Sequence, residues 1–282
     1  MIYINFNGKI VAENEPIITA QNRGLRYGDG IFETIKMRNG KLILLDEHLE
    51  RLWKGMLALK FSFGKFFTKE KLIEEIIALA KKNKLQDARV RLTIVRGDGG
   101  IYDAKNHTPN YIIEVINLPE GNGELNSNGL QLCFYEDAKK ALDSFSNLKT
   151  NNYLPYFMGA LFAKENHCND AIILNSDRNI CDTTIANIFY LKNKIVYTPA
   201  LTQGCVAGVM RNWLVEKIQA LGFTVNETVV TKNDLLTADE VFLSNSIYNI
   251  RWVKNIEEKN YTNEVVFKIV NDLQLKENAF FC

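Results

Sequence analysis

The spacing of apolar residues predicts that the chain begins with a β-hairpin. Ile2, Ile4 and Phe6 occupy every second position before the dipeptide Asn7-Gly8. An Asn-Gly pair beside an alternating segment is a strong signal for a two-residue hairpin turn. The same alternation predicts further strands in the first part of the chain, at residues 31–37, 41–45, 88–95 and 111–118.

Apolar residues at helical spacing predict two helices between these strands, with Asp46 as the N-cap of the first and Thr68 as the N-cap of the second. The second part of the chain mixes the same two patterns. Its predicted strands lie at 130–135, 171–174, 185–191, 195–197, 223–230 and 241–243, and its predicted helices at 153–165, 208–222 and 265–275. Strands with interspersed helices in both parts predict an α/β protein of the α+β type with two lobes.

Residues 119–129 form the best candidate for a linker. This segment contains three glycines, one proline and three asparagines, which are the residues that favour turns and irregular chain. The sequence therefore predicts an N-terminal domain at 1–118, a linker at 119–129 and a C-terminal domain at 130–282.

Charge and composition exclude several classes of protein. Lys and Arg number 34 against 33 Asp and Glu, so no strong basic field favours nucleic acid. No apolar run reaches the roughly 18 residues that a membrane-spanning helix needs. The N-terminus also lacks the basic and apolar segments of a secretory signal. We therefore expect a cytoplasmic protein with neither a nucleic-acid nor a membrane partner.

The cysteines and histidines predict no metal site and no disulfide framework. The five cysteines are widely spaced, odd in number and without a CxxC pair, and the three histidines form no HxxxH pair. Reduced thiols in a cytosolic protein are the expected state. The cysteines are Cys133, Cys168, Cys181, Cys205 and Cys282.

Several polar segments could carry chemistry, although each also has an ordinary structural interpretation. Lys149 could be a solvated loop residue or an amine nucleophile. Asp182 could form a turn or act in catalysis. Residues 202–211 open a helix whose N–H groups could bind an anion, residues 244–249 could line a ligand pocket or form a capped turn, and the glycine-rich residues 23–30 could be a simple loop.

The order and spacing of these segments resemble the class IV aminotransferases, a fold-type IV family of enzymes that use pyridoxal 5'-phosphate. The resemblance covers nearly the whole chain. It implies a smaller N-terminal α/β lobe, a larger strand-rich C-terminal lobe that binds the cofactor, and a homodimer. Its motifs are Gly28-Asp29-Gly30-x-Phe32-Glu33, His48-x-x-Arg51-Leu52, Asn187-Ile188-Phe189, Tyr197-Thr198-Pro199, Gly208-Val209-Met210-Arg211 and Asn245-Ser246.

The resemblance also implies roles for individual residues. Lys149 would form the internal aldimine with the cofactor and later shuttle a proton. Asp182 would face the pyridine nitrogen. The phosphate would be bound by Arg51, by the backbone N–H groups of Val209 and Met210, and by the Ser246 hydroxyl.

Three positions depart from the family pattern. Asp182 stands where the family has glutamate, and Met210 stands where the transaminases commonly have threonine. Ile101 takes the place of an arginine that binds the substrate carboxylate in several relatives. Arg26, Tyr102 and Arg251 are the alternative anchors that we consider for this carboxylate.

Three functions are compatible with these residues. The first is a branched-chain-type aminotransferase that works by ping-pong transamination to a keto acid. The second is a 4-amino-4-deoxychorismate lyase that releases pyruvate and p-aminobenzoate for folate synthesis, and the third is a non-catalytic relative that binds the cofactor. The first two share every cofactor residue, so the choice between them depends on the substrate pocket, for which the candidates are Phe32, Tyr102, Tyr248 and Arg251.

Overall fold

The computed structural model describes residues 1–120, 122 and 124–277. The chain divides into two compact units. The first comprises Met1–Glu120 together with Leu148–Asn152, and the second comprises the remaining described residues. Gly121 and Gly123 of the predicted linker lie outside the described residues, as do residues 278–282 of the predicted C-terminal domain. We propose the domain boundary at 119–129.

The first unit contains one antiparallel sheet of six strands in the order β2-β1-β6-β5-β3-β4. Its helices α2 and α3 pack against this sheet around a core that includes Ile35, Met37, Leu49, Leu72 and Leu92. Its elements are β1 (Tyr3–Phe6), β2 (Lys9–Ala12), α1 (Arg23–Tyr27), β3 (Gly30–Arg38), β4 (Lys41–Leu42), α2 (Leu45–Ala58), α3 (Lys69–Lys82), β5 (Ala88–Val95) and β6 (Asn110–Asn117).

The predicted start of α2 is wrong. The helix is preceded by Leu44, which adopts a left-handed conformation with φ 52° and makes no side-chain cap. Asp46 therefore lies inside the first turn, where a negative charge still favours the helix dipole. The predicted cap of α3 is confirmed, because Thr68 accepts a hydrogen bond from the backbone N–H of Lys71 at 3.2 Å.

The second unit contains a mixed sheet of nine strands. Eight follow the order β12-β11-β10-β13-β14-β7-β8-β9, and β15 pairs with β14. Three pairs are parallel, β11 with β12, β14 with β7, and β7 with β8. Together the two units confirm the predicted α+β class.

The elements of the second unit are β7 (Leu130–Lys140), α4 (Leu154–Glu165), β8 (Asp170–Asn175), β9 (Ile180–Thr183), β10 (Asn187–Lys192), β11 (Ile195–Pro199), a 3-10 turn (Leu201–Gln203), α5 (Val209–Ala220), β12 (Val225–Thr228), α6 (Lys232–Leu236), β13 (Glu240–Asn245), β14 (Asn249–Ile256), β15 (Lys259–Asn260) and α7 (Glu264–Glu277). The core of this sheet is formed by Ile172, Leu174, Ile188, Val241 and Val253, with further apolar residues around them.

Residues 148–152 belong with the first unit, although the sequence prediction included them in the domain at 130–282. Backbone hydrogen bonds explain the difference. The N–H of Phe32 donates to the carbonyl of Lys149 at 2.9 Å, and the N–H of Asn151 donates to the carbonyl of Gly30 at 2.9 Å. The segment therefore pairs with one edge of β3. Local sequence patterns could not predict this pairing, because the two segments are far apart in the chain.

Within the described residues, every helix is too short or too polar to cross a bilayer.

Candidate active site

Lys149 lies on the segment that pairs with β3, where its side chain contacts Phe32. The Lys149 Nζ lies 4.5 Å from the centroid of the Phe32 ring, which is buried. Gly30 allows the segment to approach β3 this closely. A Cβ at this position would lie 2.2 Å from the carbonyl oxygen of Ile94 and 2.5 Å from the Asn151 Nδ2. The backbone around Lys149 is therefore fixed by its contacts with the sheet.

Arg91 is a second cation beside the same aromatic ring. Its guanidinium carbon lies 3.9 Å from the centroid of the Phe32 ring. The Arg91 Nε also donates to the Thr93 hydroxyl at 3.3 Å and lies 3.8 Å from the Glu114 carboxylate. The first unit thus gathers an amine, a guanidinium and an apolar ring in one place.

Arg51 is held by a bidentate pair with Glu33. The Arg51 Nε donates to Glu33 Oε1 at 2.8 Å, and a terminal nitrogen donates to Oε2 at 2.6 Å. His48, one helical turn before Arg51 on α2, has its Nδ1 2.6 Å from Glu33 Oε2. Burial alone would raise the pKa of Glu33, but the Arg51 charge and the His48 hydrogen bond outweigh it and lower the pKa to about 2. The two hydrogen bonds to Glu33 fix the direction of the Arg51 guanidinium.

Asp182 is the centre of a buried hydrogen-bond cluster in the second unit. Its Oδ2 accepts from the Tyr156 hydroxyl at 2.9 Å, from the backbone N–H of Val206 at 3.0 Å and from the Lys140 Nζ at 3.3 Å. Its Oδ1 accepts from the Asn187 Nδ2 at 2.9 Å. Burial, followed by the Asp182 charge, raises the pKa of Tyr156 well above its usual value, so this phenol remains a donor.

The start of α5 lies close to this cluster. The Asn187 Nδ2 that donates to Asp182 also donates to the carbonyl of Val206 at 2.9 Å. A Cβ on Gly208 would lie 2.0 Å from the Asn187 Oδ1, so glycine is needed at the N-cap of the helix. No side chain of the described residues caps this helix at Gly208. The N–H groups of Val209 and Met210 lie in its first turn, where an α-helix has no internal acceptor for them.

The turn between β13 and β14 carries the predicted residue Ser246, which is partly exposed. The Asn245 Oδ1 shapes this turn by accepting from the N–H groups of Ile247 at 3.0 Å and Tyr248 at 2.8 Å. Tyr248 and Met210 line one cavity of about 30 Å³, so the turn lies beside the start of α5.

Arg251 lies beside Tyr248 in the same unit. Its guanidinium carbon lies 4.8 Å from the centroid of the Tyr248 ring. The two side chains also line a second cavity of about 40 Å³, together with Asp170, Ser244 and Asn245. The second unit therefore brings together the predicted residues Met210, Tyr248 and Arg251.

Two of the proposed carboxylate anchors lie on the surface of the first unit. Tyr102 is 100% exposed and Ile101 is 62% exposed. The Arg26 Nε is exposed and donates to the carbonyl of Ala20 at 3.0 Å. In the first unit, Arg91 is better placed than Tyr102 or Arg26 to bind a substrate carboxylate, because its guanidinium lies beside the Phe32 ring that Lys149 also contacts.

Sequence reasoning missed Arg91, Tyr156 and Lys140. Arg91 alternates with Val90 and Leu92, which are buried, and this alternation was a signal that Arg91 lies on the opposite face of the strand. The alternation could not predict that β5 pairs with β3, which brings Arg91 to the Phe32 ring. Nothing in the sequence indicated that the Lys140 side chain is largely buried, because an irregularity in β7 determines its direction. Among the described residues, no group of three or more His, Cys, Asp and Glu side chains could hold a metal ion.

Comparison with known proteins gives matches along most of the chain. The family model described as amino-transferase class IV matches residues 30–256. The aminodeoxychorismate lyase of Bacillus subtilis is 31% identical over 269 residues, which is 93% of this chain and 88% of that protein. A Methanocaldococcus jannaschii protein, provisionally named a branched-chain-amino-acid aminotransferase, is 29% identical over 276 residues, which is 97% of this chain and 94% of that protein.

Solved structures share the fold. The crystal structure of a branched-chain aminotransferase from the archaeon Thermoproteus uzoniensis with norvaline has a TM-score of 0.86 and 22% identity, covering 97% of this chain and 93% of that one. The chain belongs to the class IV aminotransferase family. It therefore has the fold-type IV architecture and is an enzyme that depends on pyridoxal 5'-phosphate, of the aminotransferase or aminodeoxychorismate lyase type.

The residues present fit this cofactor. The first unit offers the Lys149 amine and the oriented Arg51 guanidinium, which suit an aldehyde and a phosphate. In the second unit, Asp182 Oδ1 accepts one hydrogen bond from Asn187. A carboxylate oxygen has two lone pairs, so this oxygen can accept another hydrogen bond from a ring N–H. The uncapped first turn of α5 suits a phosphate.

Proposed function

We propose that the protein is an amino acid aminotransferase of the branched-chain type, which passes an amino group to a keto acid by a ping-pong reaction. The observation that carries this proposal is the grouping of Lys149, Phe32 and Arg91, with both cationic groups within 4.5 Å of the centroid of one buried ring. An aminotransferase must accept an apolar amino acid and a dicarboxylate in turn. An apolar ring beside a guanidinium suits both substrates.

The chemistry of the side chains suggests which residues would hold the cofactor. Lys149 would bind the aldehyde carbon, and Asp182 would hold the ring nitrogen in its protonated form. When bound, pyridoxal phosphate supplies an aldehyde that condenses with amines and a ring that accepts the electron pair left by a departing proton. The phosphate carries close to two negative charges and would be bound by Arg51, by the N–H groups of Val209 and Met210, and by the Ser246 hydroxyl.

Lys149 would also act as the base. Its Nζ would take the proton from the substrate α-carbon and later give that proton back. Its position supports this role, because the Lys149 backbone carbonyl accepts a hydrogen bond from the N–H of Phe32 in β3 and the Lys149 side chain contacts the Phe32 ring. Proton transfer by a fixed side chain typically accelerates a reaction by about 10²–10⁴-fold.

Arg91 would bind the carboxylate of the acidic substrate, and Phe32 would contact the apolar side chain of the other substrate. Tyr248 and Arg251 remain candidates for substrate contacts in the second unit, where the Arg251 guanidinium lies beside the Tyr248 ring and Tyr248 lines a cavity with Met210. Tyr102 is a weaker candidate, because its side chain is fully exposed in the first unit.

An aminodeoxychorismate lyase is the second candidate. Two observations favour it, the 31% identity to the lyase of Bacillus subtilis and the presence of Met210, which has no hydroxyl, in the first turn of α5. The same Lys149 base would serve this reaction, which eliminates pyruvate from its substrate.

Two assays on the purified holoenzyme distinguish these functions. If the aminotransferase proposal is correct, leucine bleaches the cofactor absorption and 2-oxoglutarate restores it, while Lys149→Ala shows neither change. If the enzyme is the lyase, it releases pyruvate from aminodeoxychorismate without a keto acid acceptor and fails to exchange amino groups with leucine. The second result would overturn the first proposal.

We also propose that the protein is a cytoplasmic homodimer. The assembly is an expectation from the family resemblance, and exposed apolar side chains in the first unit support it. Leu25 is 65% exposed, Tyr27 and Ile101 are also exposed, and Tyr102 is fully exposed.

A further inference from the structure

Lys140 is a largely buried cation in the second unit that none of the family motifs includes. Its side chain is 12% exposed and its Nζ lies 3.3 Å from Asp182 Oδ2. The same Nζ lies 5.3 Å from the centroid of the Tyr156 ring. The other charged residues near the end of β7, Glu136, Asp137 and Lys139, are exposed, so the direction of Lys140 is exceptional.

An irregularity in β7 explains this direction. Tyr135 pairs with Ile173 of β8, and the register then shifts so that the next pair joins Lys140 to Asn175. Four residues of β7 therefore oppose one residue of β8. The N–H of Ser176 donates to the Lys140 carbonyl at 3.0 Å and fixes the strand after the shift. Such bulges commonly redirect a side chain beside a functional site.

The Asp182 carboxylate needs a cation in this place. Its side chain is 3% exposed, and a buried carboxylate without a counter-charge is strongly destabilised. Lys140, Tyr156 and the N–H of Val206 all donate to Oδ2, whereas Oδ1 accepts from Asn187. The donors are therefore unevenly divided between the two oxygens, and Oδ1 is the one with acceptor capacity to spare.

We infer that Lys140 is a positioning residue, which holds Asp182 Oδ2 so that Oδ1 can accept a hydrogen bond from the protonated ring nitrogen of the cofactor. The inference rests on the proposed role of Asp182 in binding pyridoxal phosphate. Asp182 is one methylene shorter than the family glutamate, so its direction depends more on the groups around it. Lys140 acts through Asp182, to which its Nζ donates.

The test is the protonation state of the bound ring nitrogen. Cofactor-free protein is loaded with pyridoxal phosphate that carries ¹⁵N in the ring, and the ¹⁵N chemical shift is recorded. We expect the protonated value in the wild type, a shift towards the unprotonated value in Lys140→Met, and recovery in Lys140→Arg. We also expect Lys140→Met to bind the cofactor about tenfold more weakly, because a lost charged hydrogen bond typically has this effect. Lys139→Met, on the same strand but exposed, is the matched control.

A double-mutant cycle keeps the test decisive if Lys140→Met folds poorly. Lys140→Met combined with Asp182→Asn removes both charges together and retains the shape of the cluster. We expect the double variant and Asp182→Asn alone to give the same ¹⁵N shift, because Lys140 has no effect without the carboxylate. Different shifts in these two variants would overturn the inference.

The same experiment distinguishes a wrong role for Lys140 from a wrong proposed function. If the wild-type protein binds pyridoxal phosphate with a protonated ring and Lys140→Met does the same, Lys140 has no positioning role and the proposed function stands. If the wild-type protein binds no pyridoxal phosphate, the proposed function fails and the inference fails with it.

Discussion

Two buried carboxylates show how hydrogen bonds fix the direction of single side chains in this enzyme. Glu33 holds the Arg51 guanidinium by two hydrogen bonds, and Asp182 is held by four N–H and O–H donors and by the Cys181 thiol. In both cases the charge is compensated before any ligand arrives. At the proposed cofactor site, a ligand would therefore meet groups whose direction is already fixed, which lowers the entropy lost on binding.

The Glu33 cluster predicts a pH dependence of stability. The pKa of Glu33 is lowered in the folded state, from 4.5 to about 2. A group whose pKa is lower in the folded state stabilises the protein at pH values above its pKa in the unfolded chain. This contribution is lost as the pH falls from 4.5 towards 2. Glu33→Gln should therefore lower the free energy of unfolding by on the order of 3 kcal/mol at pH 7, since one pKa unit corresponds to about 1.4 kcal/mol.

Urea unfolding of the wild type and Glu33→Gln between pH 7 and pH 3 measures this effect. The difference between the two proteins should be constant above about pH 5 and shrink below it. A difference that grows as the pH falls would contradict the ionised state of Glu33.

Arg91 predicts a selective effect on the acidic substrate. Its guanidinium lies beside Phe32, whereas Arg89 lies on the same strand with an exposed side chain. Arg91→Met should raise the KM for 2-oxoglutarate about tenfold or more and change the half-reaction with leucine much less, since a carboxylate loses a charged hydrogen bond. Arg89→Met should leave both unchanged. Equal effects of the two variants would show that Arg91 is not the anchor.

At the scale of elements, close backbone approaches determine where the functional residues lie. Gly30 allows residues 148–152 to pair with β3, and Gly208 allows the start of α5 to reach Asn187. Both glycines lie in motifs that the sequence analysis used. What the sequence could not provide was the contact that each glycine makes, because that contact involves a residue far away in the chain.

Gly30→Ala should disturb the segment that carries Lys149. The new methyl group would lie 2.2 Å from the backbone oxygen of Ile94, which cannot move without opening the pairing of β3 with β5. We expect a loss of about 1–3 kcal/mol in the free energy of unfolding and weaker binding of pyridoxal phosphate. Gly64→Ala is the control, because nothing lies within 4 Å of its Cβ. Unchanged stability and cofactor affinity in Gly30→Ala would contradict this account of the segment.

Local sequence patterns predicted most of these elements but not the irregular positions between them. Strand β5 is observed at the predicted residues 88–95, and Thr68 caps α3 as expected. The start of α2 was wrong because Leu44 adopts a left-handed conformation that apolar residues seldom favour. Lys140 was missed for a similar reason, since the register shift in β7 depends on its pairing with β8.

At the scale of the whole molecule, the residues proposed for catalysis and cofactor binding are divided between the two units. The first unit carries Lys149, Arg51 and Arg91, and the second carries Asp182 and the N-terminus of α5. The motifs that gave the family resemblance are distributed over both units. The family and the cofactor could therefore be predicted from sequence, whereas the substrate could not, because most of the candidate substrate residues, among them Arg91, Tyr248 and Arg251, lie outside these motifs.

The proposed homodimer predicts a particular mass in solution. The chain has a mass of 32.2 kDa, so sedimentation equilibrium of the holoenzyme should give about twice this value. Tyr27→Glu, which places a charge among the exposed apolar residues of the first unit, should shift the equilibrium towards the monomer. A wild-type protein that remains monomeric at high concentration would contradict the proposed assembly.

The most direct test of the central claim is to locate the cofactor on the chain. The holoenzyme is reduced with borohydride, digested and analysed by mass spectrometry. We predict one phosphopyridoxyl adduct, on Lys149, and its loss in Lys149→Ala. An adduct on a different lysine, or a reduced protein without any adduct, would contradict it.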